Sequence, residues 1–178
     1  MADNSFAFEQ NSMATYAEQI VAIKKTGGAV AAVFGIWLLA LVLIILLLLF
    51  NIPLNLLLCF GVAYGAFWLT CRFNVEYEYI ITNGIVDIDK IVNKSNRKRV
   101  MTFDLRNTTR LEKYNPAAII GINQKEILFA CNKDANSYFI SVDKPSGGSV
   151  NLVFAPNEKL QKEICKTAPR FLTNNVFK

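Results

Sequence analysis

Five cations crowd one short stretch of this chain: Lys90, Lys94, Arg97, Lys98 and Arg99 surround the polar run Asn93-Lys94-Ser95-Asn96. If that run is a turn between two strands, both arms deliver their charges to one place. Lysine ammoniums supply point charge there, and arginine forks supply paired donors that match a phosphate or a carboxylate. The chemistry this offers is anion recognition, of a lipid surface or an acidic partner. The competing role is a solvated edge strand whose charges deter edge-to-edge pairing.

Catalysis has little to draw on. The chain contains no histidine, which removes the commonest general base and the commonest neutral metal ligand together. Cys59, Cys71, Cys131 and Cys165 lack the close spacing of a zinc site or redox motif. Asp87 and Asp89 alternate on one strand face without further ligands, so they read as strand carboxylates facing basic neighbours. Ser146-Gly147-Gly148-Ser149 lacks the Lys-Ser/Thr of a phosphate loop. No nucleophile stands beside a base. The expectation is a non-enzyme with no cofactor and no metal. Nucleic acid is not an expected partner either, because Tyr77, Tyr79, Phe103 and Tyr114 alternate with polar residues as core positions do.

The elements that carry these residues begin with a membrane segment. No Asp, Glu, Lys or Arg occurs between Lys25 and Arg72, whereas the chain from Arg72 onward holds seventeen basic and eleven acidic residues. Gly28 to Phe50 is an unbroken apolar run of twenty-three residues. As a helix it reaches roughly 34 Å, enough to cross a ~30 Å hydrocarbon core. Asn51-Ile52-Pro53-Leu54-Asn55 breaks it, and a second run from about Leu54 to Cys71 is just long enough to return. A cleaved signal peptide fits poorly, since the run starts late and no small-residue cleavage site follows.

Lys24, Lys25 and Arg72 flank the pair while the connecting turn is uncharged, which places both termini in the cytoplasm. Trp68 falls at the cytosolic interface. Gly35, Gly61 and Gly65 provide a small-residue face through which the two helices are expected to pack. Before them, residues 1–27 form a tail. Its Met13, Tyr16, Ala17, Ile20 and Val21 share one side of a helical wheel, predicting a short amphipathic helix, and Met1 to Asn11 show no pattern.

Beyond the hairpin (28–72), the period changes to strands. Val75, Tyr77, Tyr79 and Ile81 alternate with Glu76 and Glu78, and Asn83-Gly84 marks a two-residue hairpin. Further strands are expected over Ile85–Val92, Arg97–Phe103, Thr108–Tyr114, Ala118–Ile122, Glu126–Cys131, Tyr138–Asp143 and Val150–Phe154. Asn157 then caps a helix with Leu160, Ile164 and Ala168 on its buried stripe, ended by Pro169.

The run Tyr77-Glu78-Tyr79-Ile80-Ile81-Thr82-Asn83-Gly84, with Asp87-Ile88-Asp89-Lys90-Ile91, Arg97-Lys98-Arg99-Val100 and Phe154-Ala155-Pro156-Asn157-Glu158-Lys159, resembles bacterial pleckstrin-homology-like domains. With the upstream hairpin, the chain from about Tyr16 is similar to an uncharacterised family of small two-helix membrane proteins of low-GC Gram-positive bacteria. The resemblance implies a membrane α-helical hairpin plus an α+β cytosolic domain (73–178). That domain would be an antiparallel sheet or partly open barrel of about seven strands, capped by the C-terminal helix. It also aligns the basic turn with the pattern by which some pleckstrin-homology domains grip phosphoinositides. The expected function is a non-catalytic, membrane-anchored module whose partners are the lipid bilayer and a membrane or cytosolic protein. The alternative is an accessory subunit of a membrane complex.

Overall fold

The structure, a computed structural model, describes residues 16–50, 53–123, 126–134, 136–144, 147–174 and 176–177. The expectations for Met1–Asn11, Met13, Asn51, Ile52 and Ser146 lie outside these residues. Strand β1 (Tyr16–Ala22) comes first, then helices α1 (Gly27–Leu49) and α2 (Asn55–Cys71). Strands β2 (Val75–Thr82), β3 (Ile85–Val92), β4 (Asn96–Asp104), β5 (Thr108–Lys113), β6 (Ile127–Phe129), β7 (Tyr138–Asp143) and β8 (Ser149–Phe154) follow. Helices α3 (Glu158–Thr167) and α4 (Arg170–Thr173) close the chain.

Two four-stranded sheets form, in the orders β1-β2-β3-β4 and β5-β7-β8-β6. They enclose one main core. Tyr79, Ile81, Ile88 and Phe103 from the first sheet meet Leu111, Ile140, Leu152 and Phe154 from the second, with Leu160 and Ile164 of α3. Tyr79 stacks edge-on against Phe154 at 6.0 Å, and its hydroxyl donates to the Ala130 carbonyl at 2.6 Å. Burial makes its phenolate unfavourable and pushes its pKa upward.

The amphipathic helix expected around Tyr16–Val21 is instead β1. The two periods sort this segment differently: the helical wheel groups Tyr16, Ala17, Ile20 and Val21, whereas in the strand Ala17, Gln19 and Val21 face inward and Tyr16, Glu18 and Ile20 face out. The free edge of β2 decides between them, because pairing Tyr16 to Thr82 through Ala22 to Glu76 satisfies backbone groups that an isolated helical turn cannot reach. Gln19 then clamps the start of α3. Its Nε2 donates to the Ala155 carbonyl at 3.0 Å, and its Oε1 accepts the Asn157 N–H at 2.7 Å. The domain therefore draws a strand from the segment first read as a tail.

Three further expectations change. The strands are not all antiparallel, since β6 pairs parallel with β8, and the two sheets do not make one barrel. Ala118–Ile122 is not a strand: Pro116 and the Asn115 side chain, which accepts the Ala117 N–H, start a 3-10 turn over Pro116–Ile119. The glycines do not bring α1 and α2 together, because a Cβ built at Gly35, Gly61 or Gly65 meets no atom within 4 Å. The small residues buried in these helices are Ala40 and Ala66.

The Asn157 cap and the Asn83-Gly84 turn stand where the sequence placed them. Thr26 caps α1 by accepting the Ala29 N–H, and Asn157 caps α3 by accepting the Leu160 N–H at 2.9 Å. Asn83 and Gly84 both take positive φ, 52° and 87°, in the β2–β3 turn. Gly84 is doubly constrained, since an added Cβ would overlap the Thr167 methyl at the end of α3. Asn55 ties the helices at their far end, its Nδ2 donating to the Leu47 carbonyl at 2.7 Å. Among the described residues α1 alone is long and apolar enough to cross a membrane, and α2 is shorter at seventeen residues.

Candidate functional site

The β3–β4 hairpin carries all five cations singled out from the sequence, and its turn abuts the end of α2. Asn93 and Lys94 occupy the turn with φ of 54° and 57°. The Asn93 N–H donates to the Asn74 carbonyl at 2.9 Å, which fixes the turn beside the segment linking α2 to β2.

A β-bulge then sorts the cations. Ile88 pairs with Met101 but Asp89 pairs with Arg99, so Val100 is the extra residue on β4. An unshifted register would put Val100 opposite Asp89 and leave both arginines on the wrong side of the sheet. With the bulge, Arg99 lies 3.0 Å from Asp87 and 3.0 Å from Asp89. Arg97 reaches diagonally to Glu78 on β2 at 2.8 Å. Thr102 adds a 2.6 Å hydrogen bond to Asp87. Asp87 and Asp89 thus face basic neighbours as the strand pattern implied.

These pairs change the meaning of the arginines. Glu78 is 1% exposed although it sits on the outer face of its sheet. Desolvation raises its pKa above the ordinary carboxylate value, neighbouring Glu18 raises it further, and Arg97 pulls it back. Glu18 moves the other way, held ionised by hydrogen bonds from the Tyr16 hydroxyl and from Glu78. Arg97 and Arg99 are therefore committed within the sheet. Lys90 and Lys98 pair across strands on the opposite side, the side that carries Tyr77, and Lys94 stands at the turn. No ion pair holds these three lysines among the described residues. The structure divides the five expected site residues into two structural arginines and three available lysines.

Sequence reading missed two groups. Glu78 alternates with core tyrosines and so looked solvated, until β1 and Arg97 covered it. Arg72 looked like a topology marker alone. Its guanidinium stacks on the Trp68 ring at 4.0 Å, beside a cleft of about 520 Å³ that also takes in Asn93, Ser95 and Asn96. The spacing of Trp68 and Arg72, four apart on a helix, was the available signal.

No three Cys, Asp or Glu residues converge as a metal site among the described residues. Cys131 and Cys165 are raised in pKa by burial, which keeps them as thiols and poor nucleophiles. The arrangement can present positive charge to an anion, with the carboxylates neutralised internally. A family model described as "Bacterial PH-like domain (DUF6106)" matches residues 13–174, including β1 and both helices. No curated protein and no solved structure matches the chain.

Proposed function

The chain belongs to the bacterial PH-like domain family, and from that premise we propose a non-catalytic module anchored by a two-helix membrane hairpin, its domain and both termini cytoplasmic, its β3–β4 lysines on the anionic leaflet. The observation that carries the anchor is β1. Because β1 and β2 are neighbours in one sheet, the segment between them must begin and end on the same side of any membrane it enters. Such a segment crosses an even number of times. If α1 crosses, α2 must return the chain.

Seventeen residues reach only ~25 Å as a helix, a mismatch that local thinning and flanking polar residues accommodate. A cleaved signal sequence would carry β1 away from β2 and expose the edge that it covers. The outward-facing side chains of both helices, such as Leu49, Phe50 and Leu56 at 73% exposed each, need an apolar surrounding. Lys24, Lys25 and Arg72 on one side set the orientation.

The leaflet reading rests on Lys90, Lys94 and Lys98, which no ion pair engages among the described residues and which are carried by the hairpin whose turn meets the end of α2. Each cation near an anionic surface contributes roughly 1 kcal/mol. Topology is tested by a single cysteine at Asn55 in a Cys-free background, which should react with an impermeant maleimide added outside intact cells. Labelling at Lys162→Cys in its place, with Asn55→Cys silent, reverses the orientation.

Surface binding is tested by hydrogen exchange on the full chain in nanodiscs. Amides around Asn93–Arg97 should exchange several-fold more slowly in anionic than in zwitterionic discs, and salt should erase the difference. Lys90, Lys94 and Lys98 all changed to Gln should erase it too, whereas the same change at Lys159, Lys162 and Lys166 should not. Equal exchange in both lipids for the parent chain rejects the leaflet reading.

A further inference from the structure

The cleft beside α2 combines features found separately elsewhere on this surface. Its cation is Arg72, and among the described residues no ion pair engages that guanidinium, in contrast to Arg97 and Arg99. Stacking on Trp68 at 4.0 Å restrains the planar group, and a stacked guanidinium keeps its in-plane N–H donors available. Asn93, Ser95 and Asn96 bring neutral hydrogen-bonding side chains from the turn, and among the described residues no acidic side chain lines the space.

The turn is held in position by more than its own preferences. Asn93 and Lys94 both adopt the left-handed conformation, and a lysine there persists only where its surroundings impose it. The end of α2 is a negative helix pole, which would oppose an anion by about half an elementary charge. That opposition is reduced here. The carbonyls of Leu69, Thr70 and Cys71 already accept the N–H groups of Arg72, Phe73 and Asn74, and Arg72 adds a full positive charge.

We propose that this cleft binds the phosphate group of an anionic phospholipid, with Arg72 gripping the phosphate oxygens and the Asn93, Ser95 and Asn96 side chains completing the shell. The inference rests on the membrane reading given above. Where α2 leaves a bilayer is the depth at which lipid phosphates lie and at which tryptophan is favoured. The volume, about 520 Å³, suits a headgroup rather than an acyl chain. The site differs from the lysine surface in kind: it is one saturable pocket, whereas three lysines feel a diffuse potential.

The test uses the full chain in a nonionic detergent with Trp37→Phe, which leaves Trp68 as the sole indole. Short-chain phosphatidylglycerol should shift its emission saturably, and inorganic phosphate at matched ionic strength should not. Arg72→Gln should weaken that binding about tenfold, the scale of one lost charged hydrogen-bonding partner, and Arg72→Lys should fall between. The triple Gln change at Lys90, Lys94 and Lys98 should leave the midpoint within about twofold, since those groups lie outside the cleft. That separates the pocket from the surface effect, which the nanodisc exchange reads independently. An emission change that never saturates, or one unaltered by Arg72→Gln, overturns the pocket. Saturation by inorganic phosphate at the same concentration as the lipid overturns the lipid source and makes free phosphate the ligand.

Discussion

A fragment running from Asn74 to Phe177 should fail to fold, while one that joins Lys24 to Asn74 through about four Gly/Ser/Asn residues should fold as a soluble domain. Both lack the hairpin. They differ in β1, which contributes a full antiparallel ladder against β2, buries Ala17 completely and supplies the Gln19 clamp on α3. Without it, β2 becomes a bare edge and the core opens beside Tyr79. The loss should reach several kcal/mol, comparable with the whole ~5–15 kcal/mol of an ordinary domain. The short join is geometrically possible because Ala22 and Glu76 are paired neighbours and the Ile23 N–H already reaches the Val75 carbonyl at 3.0 Å. Asn132 supports the same corner, bonding both the Ala22 carbonyl and the Lys24 N–H. Cooperative thermal unfolding by circular dichroism for the joined protein, and none for the truncated one, is the expected pair of results. Equal stability of the two would remove β1 from the domain and with it the argument for an even number of crossings.

Arg97→Gln should destabilise the domain by about 1–3 kcal/mol at neutral pH, and the loss should shrink on acidification. Glu78 is buried and loses its cation in this variant. The lower end of the range is favoured because Arg97 itself is 52% exposed in its side chain, so solvent screens the pair. The sign follows from protons. Between the ordinary carboxylate value and the raised folded value, folded Glu78 keeps a proton that the unfolded chain has released, so stability falls as pH rises through that window. Removing Arg97 widens the window upward. Glu18 works in the opposite direction and in a different range: its lowered value adds stability that disappears only as pH falls below the ordinary carboxylate value. Adding Glu78→Gln to Arg97→Gln should restore most of the loss. Chemical unfolding of the full chain in micelles between about pH 4 and pH 8 would measure all of this. A loss from Arg97→Gln that is independent of pH would mean that the side chain acts by packing alone.

Much of the fold was legible where local chemistry is decisive. Asn83-Gly84 located the β2–β3 turn because that backbone needs positive φ, and Asn157 with Leu160 and Ile164 located α3 because cap and stripe agree. Legibility failed where a distant partner decides. Tyr16–Ala22 groups its apolar residues on a helical wheel, and only the edge of β2, on the far side of two helices, makes it a strand. The placement of the five cations on one hairpin was legible, but the pairing of their side chains was not. One inserted residue, Val100, exchanges which cations face the carboxylates, and no local signal in Arg97-Lys98-Arg99-Val100-Met101 announces a bulge. The glycines misled for a related reason: spacing shows that small residues share a helix face but not which way that face points.

Placing two helices inside the connection between paired strands also gives the chain an order of assembly. Closing a loop of about fifty residues carries an entropic penalty that grows with the logarithm of its length, and shortening it to fewer than ten residues relieves about 1.5–2 kcal/mol. Docking α1 against α2, with Asn55 fastened to Leu47, does this shortening: it returns Arg72 to the neighbourhood of Lys24 before any strand has paired. The helical hairpin is thus a template for the first strand pair, and β1, made before the two helices, waits for β2 to follow them. A nascent chain stalled before β2 emerges would hold an orphaned strand of seven residues with no edge to join, a waiting period that chaperone capture or pulse proteolysis would register as early vulnerability at Tyr16–Ala22.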